Sequence, residues 1–72
     1  MVKFKVKANP SGQYYLPKEV REELGQELEL VCNAKVAVVY NIQTPLEAIL
    51  KSIDIIRKDL RHRLELQQAS SR

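Results

Sequence analysis

The sequence predicts a small protein, mainly β with helices: two β-hairpins joined by a short helix, then one long amphipathic α-helix. Three observations predict it. Apolar and polar residues alternate with period two in "VKFKVK", "ELELVC" and "KVAVVYN", as on half-buried strands. Proline, glycine and asparagine stand between those runs, at Asn9, Pro10, Gly12, Pro17, Gly25 and Asn33, where turns and caps need them. From Leu46 to Leu64 the apolar spacing changes to steps of three and four, the period of a helix. That change divides the chain into a hairpin region, 1–43, and a C-terminal helix region, 44–72.

In "VKFKVK" the alternation sets Val2, Phe4 and Val6 on one face and Lys3, Lys5 and Lys7 on the other. "ANPSG" is a turn by composition, because Pro10 fixes its φ and Gly12 permits a positive one. "QYYLP" returns as a second strand, stopped by Pro17, which has no N–H for a ladder and suits a helix start. Tyr14 and Tyr15 then fall one toward the core and one half exposed. Lys18 to Leu24 are good helix formers, Val20 and Leu24 give a narrow apolar edge, and Gly25 is the terminator. A helix of two turns does not stand alone in water, so it must lean on the hairpins. "ELELVC" and "KVAVVYN" form the second hairpin around an Asn33-Ala34 turn, asparagine tolerating left-handed geometry.

Thr44-Pro45-Leu46-Glu47 is a capping box with proline at the first helical position. Leu46, Ile49, Leu50, Ile53, Ile56, Leu60 and Leu64 make one apolar stripe. Glu47 with Lys51, Asp54 with Lys58 and Asp59 with Arg63 pair acid to base at i, i+4 on the wet side. The helix is expected to run to about Gln67, with "QQASSR" a frayed end.

Seventy-two residues bury little of their unfolded surface, so a fold of this size needs a staple. Cys32 is the one cysteine and cannot close a disulfide within the chain, and no His/Cys cluster has zinc spacing, so no metal or other cofactor is expected. Cys32 reads as a small buried apolar residue and His62 as a solvated side chain. Association with a second copy is the remaining staple: a homodimer, or a tetramer built from it. The lone thiol and an N-terminus unlike a signal peptide point to a cytoplasmic, nucleoid-associated protein, with no membrane partner.

Net charge is +3, unevenly spread. Residues 1–18 hold Lys3, Lys5, Lys7 and Lys18 and no acid, for +4; residues 19–43 carry −3; the remainder carries +2. A polyanion would therefore be met by the first hairpin.

"GQYYLPKEVREELG", followed by "LEL" and a second hairpin, resembles the AbrB/MazE (SpoVT-AbrB type) swapped-hairpin DNA-binding family, which includes VapB-type antitoxins. The residues that match the pattern of glycine, alternating strand, proline and short helix are Gly12, Leu16, Pro17, Glu19, Val20, Arg21, Leu24 and Gly25, and the likeness covers residues 2–41. It implies an intertwined homodimer whose hairpins interleave into one small β-barrel, with basic residues of the first strand, loop and hinge on double-stranded DNA. Lys7 and Arg21 fall on the family's DNA-contact positions. The chain departs from the pattern at Gln13, where arginine is common, and at Glu22, where a basic residue is frequent. It also passes from "ELG" to the next strand without the usual proline- and glycine-containing turn.

The expected DNA-binding residues are Lys3, Lys5, Lys7, Asn9, Gln13, Lys18 and Arg21. Lysines at alternate strand positions stand about 6.7 Å apart and offer point charges suited to phosphates. Arg21 can offer a planar fork to guanine, while Asn9 and Gln13 suit adenine or phosphate oxygens. Each has a plainer alternative: an edge-strand face that deters aggregation for the lysines, a salt bridge to a nearby glutamate for Arg21, and turn hydrogen bonds for Asn9 and Gln13.

No phosphate loop, spaced carboxylate pair or Ser/Cys–His arrangement is present, so no catalytic residue is expected and an enzyme is not indicated. The helix stripe, Leu46 to Leu64, is the expected surface for oligomerisation or for a partner. The reading is a homodimeric transcriptional regulator, sequence-tolerant or operator-specific in its DNA binding. Its alternative, which the family resemblance implies, is an antitoxin whose helix inhibits a nuclease toxin and which autorepresses its operon.

Overall fold

The structure is a computed structural model, and it describes residues 3–70. The elements in order are α1 (Lys18–Leu24), β1 (Leu28–Asn33), β2 (Val36–Asn41) and α2 (Leu46–Ser70). The chain divides into two compact units, one through Gln43 and one from Thr44. It is a β-plus-helix fold in which helix outweighs strand: α2 alone has 25 residues, against six in each strand.

The N-terminal unit is built around the antiparallel hairpin β1–β2. Its register pairs Leu28 with Asn41, Leu30 with Val39, Val31 with Val38 and Asn33 with Val36. The two-residue loop is therefore Ala34-Lys35, one position later than the Asn33-Ala34 expected from turn preference. Ala34, not Asn33, takes the left-handed backbone, at φ 55°. Cross-strand apolar pairing fixes the register, and the turn residue follows from it. One further bond, Ile42 N–H to the Glu27 carbonyl at 3.1 Å, extends the ribbon past its open end.

The expected first hairpin is present as a turn and not as a ladder. Residues 3–9 and 13–17 form no strand, and Val2 lies outside the described residues. The Asn9 N–H donates to the Gln13 carbonyl at 2.8 Å. The reciprocal ladder bond is diverted: Gln13 N–H goes to Asn9 Oδ1 at 2.9 Å, while the Asn9 carbonyl accepts from Gly12 N–H at 2.9 Å. Without a ladder the alternation does not sort faces. Phe4 and Val6 are exposed, and Tyr14 and Tyr15 are 66% and 70% exposed, so neither tyrosine faces a core.

Helix α1 begins and ends where proline and glycine predict. Pro17 is the N-cap, and its carbonyl accepts from Arg21 N–H at 3.0 Å; Gly25 is the C-cap, its N–H donating to the Arg21 carbonyl at 2.9 Å. Asn41 ties that helix end to the end of β2. Its Nδ2 donates to the Leu24 carbonyl at 2.7 Å, satisfying one of the acceptors a helix terminus leaves open, and its Oδ1 accepts from Gln43 N–H at 2.9 Å.

Helix α2 starts at Leu46, with Pro45 just before it and the Pro45 carbonyl accepting from Ile49 N–H at 3.1 Å. It continues through the residues expected to fray, as far as Ser70, whose Oγ donates to the Leu66 carbonyl at 2.9 Å. Gln67, Gln68 and Ala69 all favour helix, so no residue in that stretch stops it. Two of the three expected i, i+4 pairs form, Lys58–Asp54 at 3.3 Å and Arg63–Asp59 at 2.9 Å, and Arg57 reaches Asp54 at 3.9 Å. Glu47 and Lys51 do not pair. Ile49 is the one buried hydrophobic among the described residues.

Candidate nucleic-acid interface

Lys3, Lys5 and Lys7 are exposed on the N-terminal segment, and none makes an ion pair among the described residues. No acid precedes Glu19 in the sequence, so the segment has no carboxylate of its own to neutralise them. Three exposed ammonium groups without a counter-charge leave a local excess of positive charge on this segment.

Helix α1 supplies the second part. Proline at its start and glycine at its end fix both its length and the positions of Lys18 and Arg21, three residues apart and so on neighbouring faces of the same turn. Both side chains line an open depression with Glu22, Gly25 and Gln26. Lys18 also reaches Glu22 at 3.9 Å, a largely exposed contact of little energetic weight. Arg21 forms no ion pair among the described residues, although Glu19, Glu22 and Glu23 are near it in sequence. Its guanidinium keeps all five donors for an external acceptor.

Asn9 and Gln13 are placed differently. Asn9 Oδ1 accepts from Ser11 N–H at 3.0 Å and from Gln13 N–H at 2.9 Å, and Asn9 Nδ2 donates to Gln13 Oε1 at 3.2 Å. Gln13 Oε1 also accepts from the Tyr15 hydroxyl at 3.2 Å. The two side chains build the turn between the lysine segment and the approach to α1, with Asn9 Oδ1, Asn9 Nδ2 and Gln13 Oε1 engaged in that task. The expected residues thus fall into three local groups: the lysine row, the α1 pair, and the Asn9–Gln13 turn.

On the second unit the stripe is present, with Leu46, Leu50, Ile56, Leu60 and Leu64 exposed, Ile53 half-buried and Ile49 buried. Sequence reasoning passed over Ile55 and Leu66, exposed apolar residues on the opposite side of the helix. Cys32, expected to be buried, is exposed. It pairs with Ala37, also exposed, near the turn end of the hairpin.

Among the described residues no group of three or more His, Cys, Asp or Glu could hold a metal, and no helix is long and apolar enough to cross a membrane. Scans against protein-family models, curated proteins and solved structures give no match to this chain.

Proposed function

We propose that the protein binds double-stranded DNA as a homodimeric transcriptional regulator, two copies interleaving their hairpins so that the lysine rows and the α1 arginines form one cationic surface. The observation that carries this reading is the set of four exposed cations, Lys3, Lys5, Lys7 and Arg21, without an acidic partner among the described residues, beside an acid-free first segment. The "GQYYLPKEVREELG" resemblance supports the same reading. Lysine ammoniums at alternate positions meet phosphates and fix register; Arg21, with its planar fork unoccupied, is the residue able to read a base edge.

The competing reading is an antitoxin whose α2 lies in a toxin groove, and the open stripe of α2 supports it. Helix α2, however, carries its own i, i+4 ion pairs and an unbroken run of 25 residues, features a tail that folds only on its toxin does not need. These favour the regulator.

Fluorescence anisotropy with a labelled duplex tests the proposal. Three neutralised phosphates give a slope of log affinity against log salt of about −2.7, so affinity falls about fortyfold between 50 and 200 mM salt, and further if both copies engage. Replacing Lys3, Lys5 and Lys7 together with alanine should remove binding while the gel-filtration volume is unchanged. Affinity that is flat in salt, or that survives the triple substitution, refutes the proposal.

A further inference from the structure

We infer that the open part of the α2 stripe docks on the same stripe of a second copy with the two helices antiparallel. The inference stands on α2 alone, whether or not the N-terminal unit binds DNA. Ile49 is 9% exposed and already covered, whereas Leu46 and Leu50 are 73% and 65% exposed. The open line therefore runs Leu46, Leu50, Arg57, Leu60 and Leu64 with half-buried Ile53 between Leu50 and Arg57, alternating steps of four and three as a two-helix seam does. The four leucines are symmetric about residue 55, so reversing the partner aligns Leu46 with Leu64 of the second copy and Leu50 with its Leu60. Such a patch is self-complementary, as a two-fold contact requires.

Charge decides the direction. In a parallel pair each seam residue meets its own copy, so Arg57 would face Arg57 in the middle of the apolar layer. The antiparallel pair places Arg57 beside Ile53 of the second copy, where its methylenes pack and its guanidinium reaches water. The flanks agree. Glu47 and Arg61 lie on one shoulder of the seam, neither makes an ion pair within the chain among the described residues, and the antiparallel alignment sets each opposite the other twice. Within one helix they are fourteen residues apart, about 21 Å, and cannot meet. The sign of charge runs the same way along the axis: 46–56 carry −1 and 57–70 carry +2, so a reversed partner brings opposite ends together.

The test uses the full chain with Cys32→Ser and mild thiol–disulfide exchange. An equimolar mixture of Leu46→Cys and Leu64→Cys chains should give the mixed disulfide in several-fold excess over either homodimer, and over a His62→Cys control on the far face. Dominant Leu64→Cys homodimers would mean a parallel pair and overturn the inference; cross-linking no better than the control would mean that this face does not pair with itself, and overturns it equally. As a second measurement, Glu47→Arg and Arg61→Glu should each weaken self-association about five- to tenfold, from two symmetric exposed pairs made repulsive, and the double charge swap should restore it to within about twofold. Absence of that rescue overturns the antiparallel pairing even if association persists.

Discussion

Substituting Gly25 with alanine should come close to unfolding the N-terminal unit. Gly25 sits at φ 83°, ψ −163°, a region of backbone space essentially reserved for glycine, and holding any other residue there costs about 1–3 kcal/mol. Space compounds the backbone term, because a Cβ on Gly25 would lie 2.9 Å from Asn41 Nδ2. That amide must move, and it is the donor to the Leu24 carbonyl, so a part-buried hydrogen bond worth about 1 kcal/mol goes with it. The sum is about 2–4 kcal/mol, against a stability that in a chain this short rarely exceeds roughly 3–5 kcal/mol. Urea denaturation of Gly25→Ala, Asn41→Ala and the double variant, followed by circular dichroism, measures each term. With Asn41 truncated the added methyl meets no amide, so the double variant should lose about 1 kcal/mol less than the two single losses combined. A Gly25→Ala protein within about 0.5 kcal/mol of the parent would refute the reasoning. Strictly additive losses would show that Asn41 and Gly25 are not the coupled pair described.

Ala34→Gly should raise the denaturation midpoint: alanine at φ 55° is strained by about 1–2 kcal/mol, and after the larger chain entropy of glycine the net gain is about 0.5–1 kcal/mol; a lowered midpoint would refute it. The Tyr40 hydroxyl donates to Glu29 Oε1 at 3.0 Å, and that bond to the carboxylate, with a little desolvation and the negative charge beside it, raises the Tyr40 pKa above its ordinary 10.0. The neutral phenol is favoured in the folded state, so the contribution is complete below the unfolded pKa and is lost as pH climbs through the raised folded value. Spectroscopic titration of tyrosinate should show one late-titrating group that Glu29→Gln returns toward its companions, and no such change would remove the contact from the account. If Arg21 reads a base, Arg21→Ala should narrow the ratio of specific to random duplex affinity, and an unchanged ratio would leave it a phosphate contact.

The second hairpin was legible because two short apolar runs, the second rich in valine, flank a break at Asn33 to Lys35, and α1 because Pro17 and Gly25 bracket it. The one-residue shift of the turn was not legible, since register is decided by which side chains oppose each other across the strands and not by the turn itself. The first hairpin failed for a related reason. Its alternation is real, but a strand exists only against a partner, and the Asn9 side chain takes the bond that would have begun a local ladder. That same side chain, expected at the DNA, also braces the turn. The role of Asn41 was not read from the sequence: it makes an Asx turn with the Gln43 N–H, and its bond to Leu24, seventeen residues away, exists only once the chain has folded. Of the candidate site, the uncompensated charge of Lys3, Lys5 and Lys7 was legible from the acid-free segment that holds them, while Glu47, assigned to Lys51 by spacing, makes no such pair.

The β1–β2 hairpin makes the strongest case for a second copy, because both of its faces are apolar. One presents Val31, Val36 and Val38, the other Leu28, Leu30 and Val39, and Leu30, Val31 and Val36 are all more than half exposed. An amphipathic ribbon needs one covering layer; a ribbon apolar on both sides must lie between two, or close into a barrel. Two strands alone are marginal in water, and both are edges. Proteins that must stay apart guard such edges with lysine, proline or inward charge, yet between Leu28 and Asn41 the only charged residues are Glu29, bonded across the ribbon to Tyr40, and Lys35, which is in the loop. A hairpin with exposed apolar residues on both faces and two unguarded edges is poorly suited to remaining single and well suited to interleaving. In the proposed dimer the partner's strands would cover what one chain leaves open and give "VKFKVK" the ladder it lacks. The lysines at its alternate positions would then stand together on the outer face, so that the same pairing that completes the fold would assemble the cationic surface.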